Sequence, residues 1–244
     1  MTGTLTIAGL GPGDEALVTP EVSAALVDAT DVVGYAPYVA RVKLREGLTL
    51  HPSDNRMEVQ RANDALRLAS EGCRVIMVSS GDPGVFAMAS AVFEALEAAP
   101  QWQGIAIRVL PGVTAMMAAA ARAGAPLGHD FCAINLSDNL KPWSMIEKRL
   151  RLAAEADFAI AMYNPRSVSR PEGFGRALSV LKEASCGERL VIFAHAVTTP
   201  EERIETVMLH EARPEMADMR TVVIVGNSAT RRVGSWVYAP RHAR

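Results

Sequence analysis

A chain of 244 residues that is 49% apolar and 21% charged, with a formal net charge of -2, has apolar sequence enough for one large domain or two lobes and no compositional sign of disorder. It contains no run of about 18 apolar residues and no basic stretch leading into a longer apolar one, so a cytoplasmic protein with no membrane span or secretory signal is expected. The balanced charge predicts no nucleic-acid partner, although Arg220, Arg231, Arg232, Arg241 and Arg244 face no acidic residue after Asp218. Cys73, Cys132 and Cys186 are far apart in apolar contexts and read as buried thiols, and no His or Cys pair has metal-ligand spacing, so no metal is expected.

Thr4 to Leu10 reads as a buried strand that runs into Gly9-Leu10-Gly11-Pro12-Gly13-Asp14. A dinucleotide fingerprint would open its helix inside the glycine run and place a carboxylate at the end of the next strand. Here the helix is deferred to Thr19 as N-cap with Pro20 at the first helical position, and the second strand, Val32-Val33-Gly34-Tyr35, ends without a carboxylate. Glu58 to Glu71 has helical spacing. The continuous apolar run from Arg74 to Val78 predicts a strand buried on both faces, which breaks into Ser79-Ser80-Gly81-Asp82-Pro83-Gly84 before helical spacing resumes at Val85 and runs to Ala99. In an open α/β sheet a loop off the carboxyl end of a strand is where small molecules bind. Asp82 reads equally well as a ligand contact and as a turn or capping residue.

Ile105 to Leu110 is a further strand, ending in Pro111-Gly112-Val113-Thr114-Ala115 and followed by a small-residue helix, Met116 to Arg122. The helical pattern stops around Gly124 to Gly128, which reads as a connection between lobes. Beyond it, Phe131 to Leu136, Asp157 to Tyr163, Arg189 to Val197, Arg203 to Leu209 and Thr221 to Val225 read as strands, and Trp143 to Glu155 and Pro171 to Ala184 as helices. The connection from Val197 to Arg203 is too short for a crossover helix, so those two strands should form a hairpin.

In their order and spacing, Gly9 to Asp14, Val33-Gly34-Tyr35, Ser80-Gly81-Asp82-Pro83, Pro111 to Ala115 and Val225-Gly226-Asn227-Ser228 resemble the tetrapyrrole methylases, the S-adenosylmethionine (SAM) enzymes of corrin and siroheme synthesis. The resemblance covers nearly the whole chain. It implies an α/β protein of two lobes, residues 1–113 with a largely parallel sheet and 114–244 with a mixed one, SAM in the cleft between them, and a homodimer. Gly128 to Asp138 and Met162 to Ser167 look like the branch that methylates carbon 17 of precorrin-3B, or of its cobalt-containing counterpart, with contraction of the ring to give precorrin-4 and S-adenosylhomocysteine.

By the same resemblance, SAM is expected to touch Pro12, Gly81, Asp82, Val85, Thr114, Ala115, Met162, Ala194 and Ser228, and the carboxylate-rich macrocycle to meet Tyr35, Arg41, Lys141 and above all Arg166. Core packing is the competing reading for Met162, and plain solvation for Arg41 and Lys141. Ring contraction needs proton handling, for which His129 with the adjacent Asp130 is the first choice and Asp82 the second. His129 and Asp130 can both face a ligand only from a loop that precedes the strand, and a hydrogen-bonding role for His129 stays open beside the catalytic one. Two other classes remain: an NADPH-dependent precorrin reductase, against which the missing ribose carboxylate weighs, and a non-catalytic tetrapyrrole-binding protein.

Overall fold

The computed structural model describes residues 3–185 and 188–242, so the readings made of Cys186 and Arg244 lie outside the described residues. The chain divides into two compact units, Met1–Thr114 and Ala115–Arg244.

In the first unit β1 (Thr4–Gly9), β2 (Asp31–Tyr35), β3 (Thr49–Ser53), β4 (Arg74–Ser79) and β5 (Ala106–Leu110) form one parallel sheet in the order β3-β2-β4-β1-β5. Helices α1 (Pro20–Asp28) and α2 (Ala36–Val39) pack on one face, against Ala8, Val32, Ile76 and Val78. On the other face α3 (Glu58–Ser70) and α4 (Met88–Ala98) cover Leu5, Ile7, Val75 and Met77. Alternate residues of β1 and β4 feed opposite cores, which is why both strands read as unbroken apolar runs. Thr19 caps α1 as expected, its Oγ1 accepting from the Val22 amide at 3.3 Å, with Pro20 next in sequence.

Helix α4 and strand β3 differ from the sequence reading. Helix α4 starts at Met88 and not at Val85, because Phe86 has φ of 54° and Ala87 is extended, so residues 82–87 remain loop. Strand β3 was not expected: its lack of any buried residue and its internal Pro52 suit the sheet's edge, where a missing amide leaves no ladder bond unmade.

The second unit holds α5 (Ala115–Ala123), β6 (Gly124–Ala125), β7 (Phe131–Asn135), α6 (Trp143–Glu155), β8 (Ala159–Tyr163), α7 (Gly173–Ser185), β9 (Leu190–His195), β10 (Arg203–Met208), β11 (Thr221–Val225), β12 (Arg231–Val233) and β13 (Trp236–Tyr238). Its main sheet is mixed, in the order β10-β9-β11-β8-β7, with β7 and β8 parallel and the other neighbours antiparallel. The expected hairpin is β9 with β10, Arg203 facing His195. Ile160, Met162, Val191, Phe193, Val223 and Val225 pack into the core that α6 and α7 close, while α5 lies against β11. Gly124–Ala125 is no connection between lobes: it pairs with β13 in a small three-stranded sheet inside this unit.

Candidate active site

The strands of the first unit deliver three glycine-bearing loops to one edge of its sheet. The loop after β1 leads to α1 on one face and the loop after β4 to α4 on the other, so the crevice between these neighbouring strands is the sheet's topological switch point. There backbone meets backbone directly. Gly11 and Gly81 exchange amide-to-carbonyl hydrogen bonds of 3.2 and 2.9 Å, and Gly81 holds a φ of 62°. A Cβ placed on Gly9 would come within 2.4 Å of the Gly81 carbonyl oxygen, and one on Gly112 within 2.2 Å of the same atom. Glycine is therefore required at both flanks for the three loops to meet.

Asp82 holds this junction together. Its Oδ1 accepts from the Gly84 amide at 2.8 Å and its Oδ2 from the Gly112 amide at 3.1 Å, so one carboxylate ties the β4 loop to the β5 loop. Pro12 follows Gly11 in the first loop, and half-buried Val85 lies three residues beyond Asp82. Buried Thr114 ends the third loop, and Ala115 is the first residue of α5. Arg41 is half-buried and spent on the first loop: its guanidinium donates to the carbonyls of Leu10, Gly11 and Gly13 at 2.5, 3.1 and 3.1 Å. Burial holds its pKa below the usual arginine value. Tyr35 ends β2 and packs edge-on against Tyr38, their ring centres 5.3 Å apart.

In the second unit the expected residues separate to opposite edges of the main sheet. At the carboxyl ends of β7, β8 and β9, Asn135 Oδ1 accepts from the Asn164 side-chain amide at 3.0 Å and from the Ser137 amide at 2.9 Å, and the Tyr163 hydroxyl accepts from the Met116 amide at 2.9 Å. Arg170 donates to the carbonyls of Leu136 and Asn164 at 3.4 and 3.3 Å. Arg166 beside it makes one long bond, Nε to the Pro171 carbonyl at 3.4 Å, which leaves the outer edge of its guanidinium for another acceptor. The partly buried Lys141 has its pKa lowered, first by burial and then by nearby Arg149, with Asp138 opposing. Three non-glycine residues at this edge have positive φ: Asn164 at 52°, Ala196 at 46° and Thr198 at 67°. Backbone held in this region costs on the order of 1–3 kcal/mol per residue and concentrates at functional sites.

The other edge carries His129 and Asp130, in the loop before β7, with Nδ1 and Oδ2 3.5 Å apart. With Asp157, Asn227, Ser228 and Arg231 they line a depression of about 510 Å³. Ser228 is bound there by Asp157, whose two oxygens accept from its amide at 2.8 Å and its hydroxyl at 2.6 Å. Asp157 also pairs with the buried guanidinium of Arg189 at 2.8 Å. Ala194 faces Val222 across the sheet, six residues from Ser228, so at about 3.3 Å per residue Ser228 stands well over 10 Å from Ala194 and Met162. Ser228 thus lies at the far edge of the sheet from Ala194. The Met162 side chain is fully buried in the core under α6 and α7, which is the packing reading.

The family model for Tetrapyrrole (Corrin/Porphyrin) Methylases matches residues 4–213. The chain belongs to that family. As a tetrapyrrole methylase it is 51% identical to the precorrin-3B C(17)-methyltransferase of Sinorhizobium sp, across 99% of this chain and 97% of that one. It is 39% identical to a probable cobalt-factor III C(17)-methyltransferase of Salmonella typhimurium, across 97% and 98%. The crystal structure of the methyltransferase CobJ superposes with a TM-score of 0.96 at 69% identity, covering 98% of this chain and all of that one.

Several residues that organise this methylase escaped the sequence reading. Asp157 and Arg189 are far apart in sequence, and only the pairing of β8, β9 and β11 brings them together with Ser228. The dual grip of Asp82 likewise depends on β1 lying between β4 and β5. The one available signal was Asp82 itself, two residues ahead of Gly84, the spacing of a side chain that caps its own turn.

Proposed function

We propose that this methylase transfers the methyl group of SAM to carbon 17 of precorrin-3B, with contraction of the macrocycle, giving precorrin-4 and S-adenosylhomocysteine. The observation that carries the reading is the 51% identity, end to end, to the Sinorhizobium precorrin-3B C(17)-methyltransferase, against 39% for the cobalt-factor III relative. We assign SAM to the three-loop junction of the first unit, at Pro12, Gly81, Asp82, Val85 and Thr114, with Ala115 next in sequence. The fit rests on the junction's own chemistry: its backbone is bare and fixed, and Asp82, held there by two amides, complements a cationic ligand.

SAM supplies an electrophilic methyl on a sulfonium, whose positive charge disperses as the bond to carbon forms. A fixed, water-poor surface of backbone and apolar groups favours that change without an acid. What the chain contributes is placement, and holding reacting atoms in near-attack geometry is worth on the order of 7–11 kcal/mol in favourable models. Arg166, with its outer nitrogens available at a strand-end edge that also carries Lys141, suits a carboxylate of the macrocycle. A homodimer in the cytoplasm completes the proposal, in keeping with the exposed Val233 and Trp236 of the small sheet. Among the described residues no helix is long and apolar enough to cross a membrane.

The decisive assay supplies purified protein with SAM and either precorrin-3B or cobalt-factor III, and follows product mass and absorbance. Methylated, ring-contracted product from precorrin-3B with one equivalent of S-adenosylhomocysteine is expected. Turnover of the cobalt substrate alone would reassign the substrate, and binding of NADPH in place of SAM would overturn the reaction class.

A further inference from the structure

Three charged residues of the described chain are buried almost completely, and two lie within ion-pair distance of a group that can carry the opposite charge. Asp31 meets His51 Nε2 at 2.8 Å, and Arg189 meets Asp157 at 2.8 Å. Arg61, 4% exposed, has none. Its Nε donates to Ser53 Oγ at 2.7 Å, one terminal nitrogen to the Asp54 carbonyl at 2.7 Å, and the other to the thioether sulfur of Met88 at 3.4 Å. Among the described residues no carboxylate lies within ion-pair distance of it, and Glu58, one turn earlier on α3, acts on it only at longer range. A buried cation whose ring of partners is neutral, one of them a weak sulfur acceptor, is held at a desolvation cost that an anion would offset.

Position supplies the second observation. Ser53 ends β3, Tyr35 ends β2, and Met88 opens α4 just beyond the Gly81-Asp82 loop, so the guanidinium sits at the same carboxyl edge of the first sheet as the three-loop junction. Tyr35 and Tyr38 are close enough to sense its charge, and they add aromatic surface and hydroxyl donors at that edge. We propose that Arg61 anchors one peripheral carboxylate of the tetrapyrrole substrate at the β2–β3–β4 edge, with Tyr35 and Tyr38 beside it. This rests on the reading that the substrate is a carboxylated tetrapyrrole, and it replaces Arg41, whose donors are taken up by the β1 loop, as the first unit's contribution to substrate recognition. The guanidinium is fixed by Ser53 and Asp54 before any ligand arrives, which reduces the entropy lost on binding.

The test compares wild type, Arg61→Gln and Arg61→Lys in steady-state turnover of precorrin-3B, with SAM affinity by calorimetry and unfolding temperature measured on each. Loss of a hydrogen-bonded charge on the substrate should raise the KM for the macrocycle about 10- to 100-fold in Arg61→Gln. The kcat should stay within about threefold and SAM affinity should be unchanged, while Arg61→Lys, which keeps charge without the planar fork, should fall between. A folded Arg61→Gln with unaltered KM overturns the proposal. So does a KM that rises only in step with lost SAM affinity and a lower unfolding temperature, the signature of a mere brace for the loop at Ser53. Should Arg61→Gln fail to fold, Arg61→Lys decides: a several-fold rise in KM supports the anchor and none overturns it. If wild type does not turn over precorrin-3B, the functional reading has failed, and fluorescence titration with uroporphyrin still tests Arg61. Weaker binding by at least tenfold in the folded variant supports the anchor, and equal binding removes it.

Discussion

Replacing Gly112 by alanine tests whether the three-loop junction is as tight as its geometry requires. The added methyl carbon would stand 2.2 Å from the Gly81 carbonyl oxygen and 2.9 Å from Gly9, where ordinary contact needs about 3.5 Å, so the β4 and β5 loops must part by on the order of 1 Å. Overpacking of this kind costs about 1–3 kcal/mol. The same movement stretches the 3.1 Å bond from the Gly112 amide to Asp82, a charge-assisted bond worth roughly 1.5–3 kcal/mol. Together these predict a loss of about 2.5–6 kcal/mol and, for a chain of this size, an unfolding temperature lower by on the order of 10 °C. SAM affinity should fall at least tenfold, because the displaced loops are those assigned to it. Differential scanning calorimetry and isothermal titration with SAM read both quantities. Gly104→Ala is the control, since a methyl there meets nothing within 4 Å, and it should be neutral. If Gly112→Ala matched Gly104→Ala in both assays, the junction would be loose and its assignment to SAM would lose its physical basis.

Asp82→Asn turns a donor toward one of the two amides that Asp82 now accepts from, so it should lower unfolding temperature and SAM affinity together and leave kcat at saturation within about tenfold. A selective kcat loss of 100-fold or more with normal SAM binding would make Asp82 an acid or base and not a brace. His129 lies at the sheet edge opposite Arg166, so His129→Ala should keep turnover within about threefold of wild type. A drop of 10²–10⁴-fold, the usual worth of a general acid or base, would return His129 to the chemistry. Asp31 has its pKa held below the ordinary 3.8: burial raises it, but hydrogen bonds from His51, Thr30 and Cys73 outweigh that. A depressed carboxylate adds stability above its unfolded pKa and loses it as pH falls through the folded one. Asp31→Asn should therefore be less stable than wild type by a constant margin above about pH 5, and the margin should close below about pH 4. Urea unfolding at a series of pH values would expose a margin that never closes.

The strands were legible where burial on both faces writes an unbroken apolar run, as in β4, β8, β9 and β11. Edge strand β3 was not, because His51 and Pro52 are permitted only by its lack of an outer neighbour, which is a property of the sheet and not of the segment. Helix α4 was read too early since a single backbone reversal at Phe86 leaves no mark in apolar spacing. At the site, glycine positions were legible through their steric demand, yet the roles of polar side chains were not. Arg41, Arg166 and Arg61 are the same residue type with three fates: one grips a loop, one presents free nitrogens, and one is buried without a counter-charge. The partners that set those fates lie from 5 to 31 residues away and meet through loop and strand-end geometry that apolar spacing does not show.

The strand order of the first sheet also governs how the chain is made. β1 has only β4 and β5 as neighbours, and Thr4 pairs with Arg74, about 70 residues later. At roughly 5–20 residues per second on the ribosome, β1 is out for several seconds before its first partner exists, with both edges bare and its apolar faces uncovered. The β9–β10 hairpin, closed by a short connection, can pair as soon as it emerges. Nascent chains stalled before Arg74 should therefore be sticky, protease-sensitive species that a chaperone shields, whereas chains that have released β4 and β5 should resist protease.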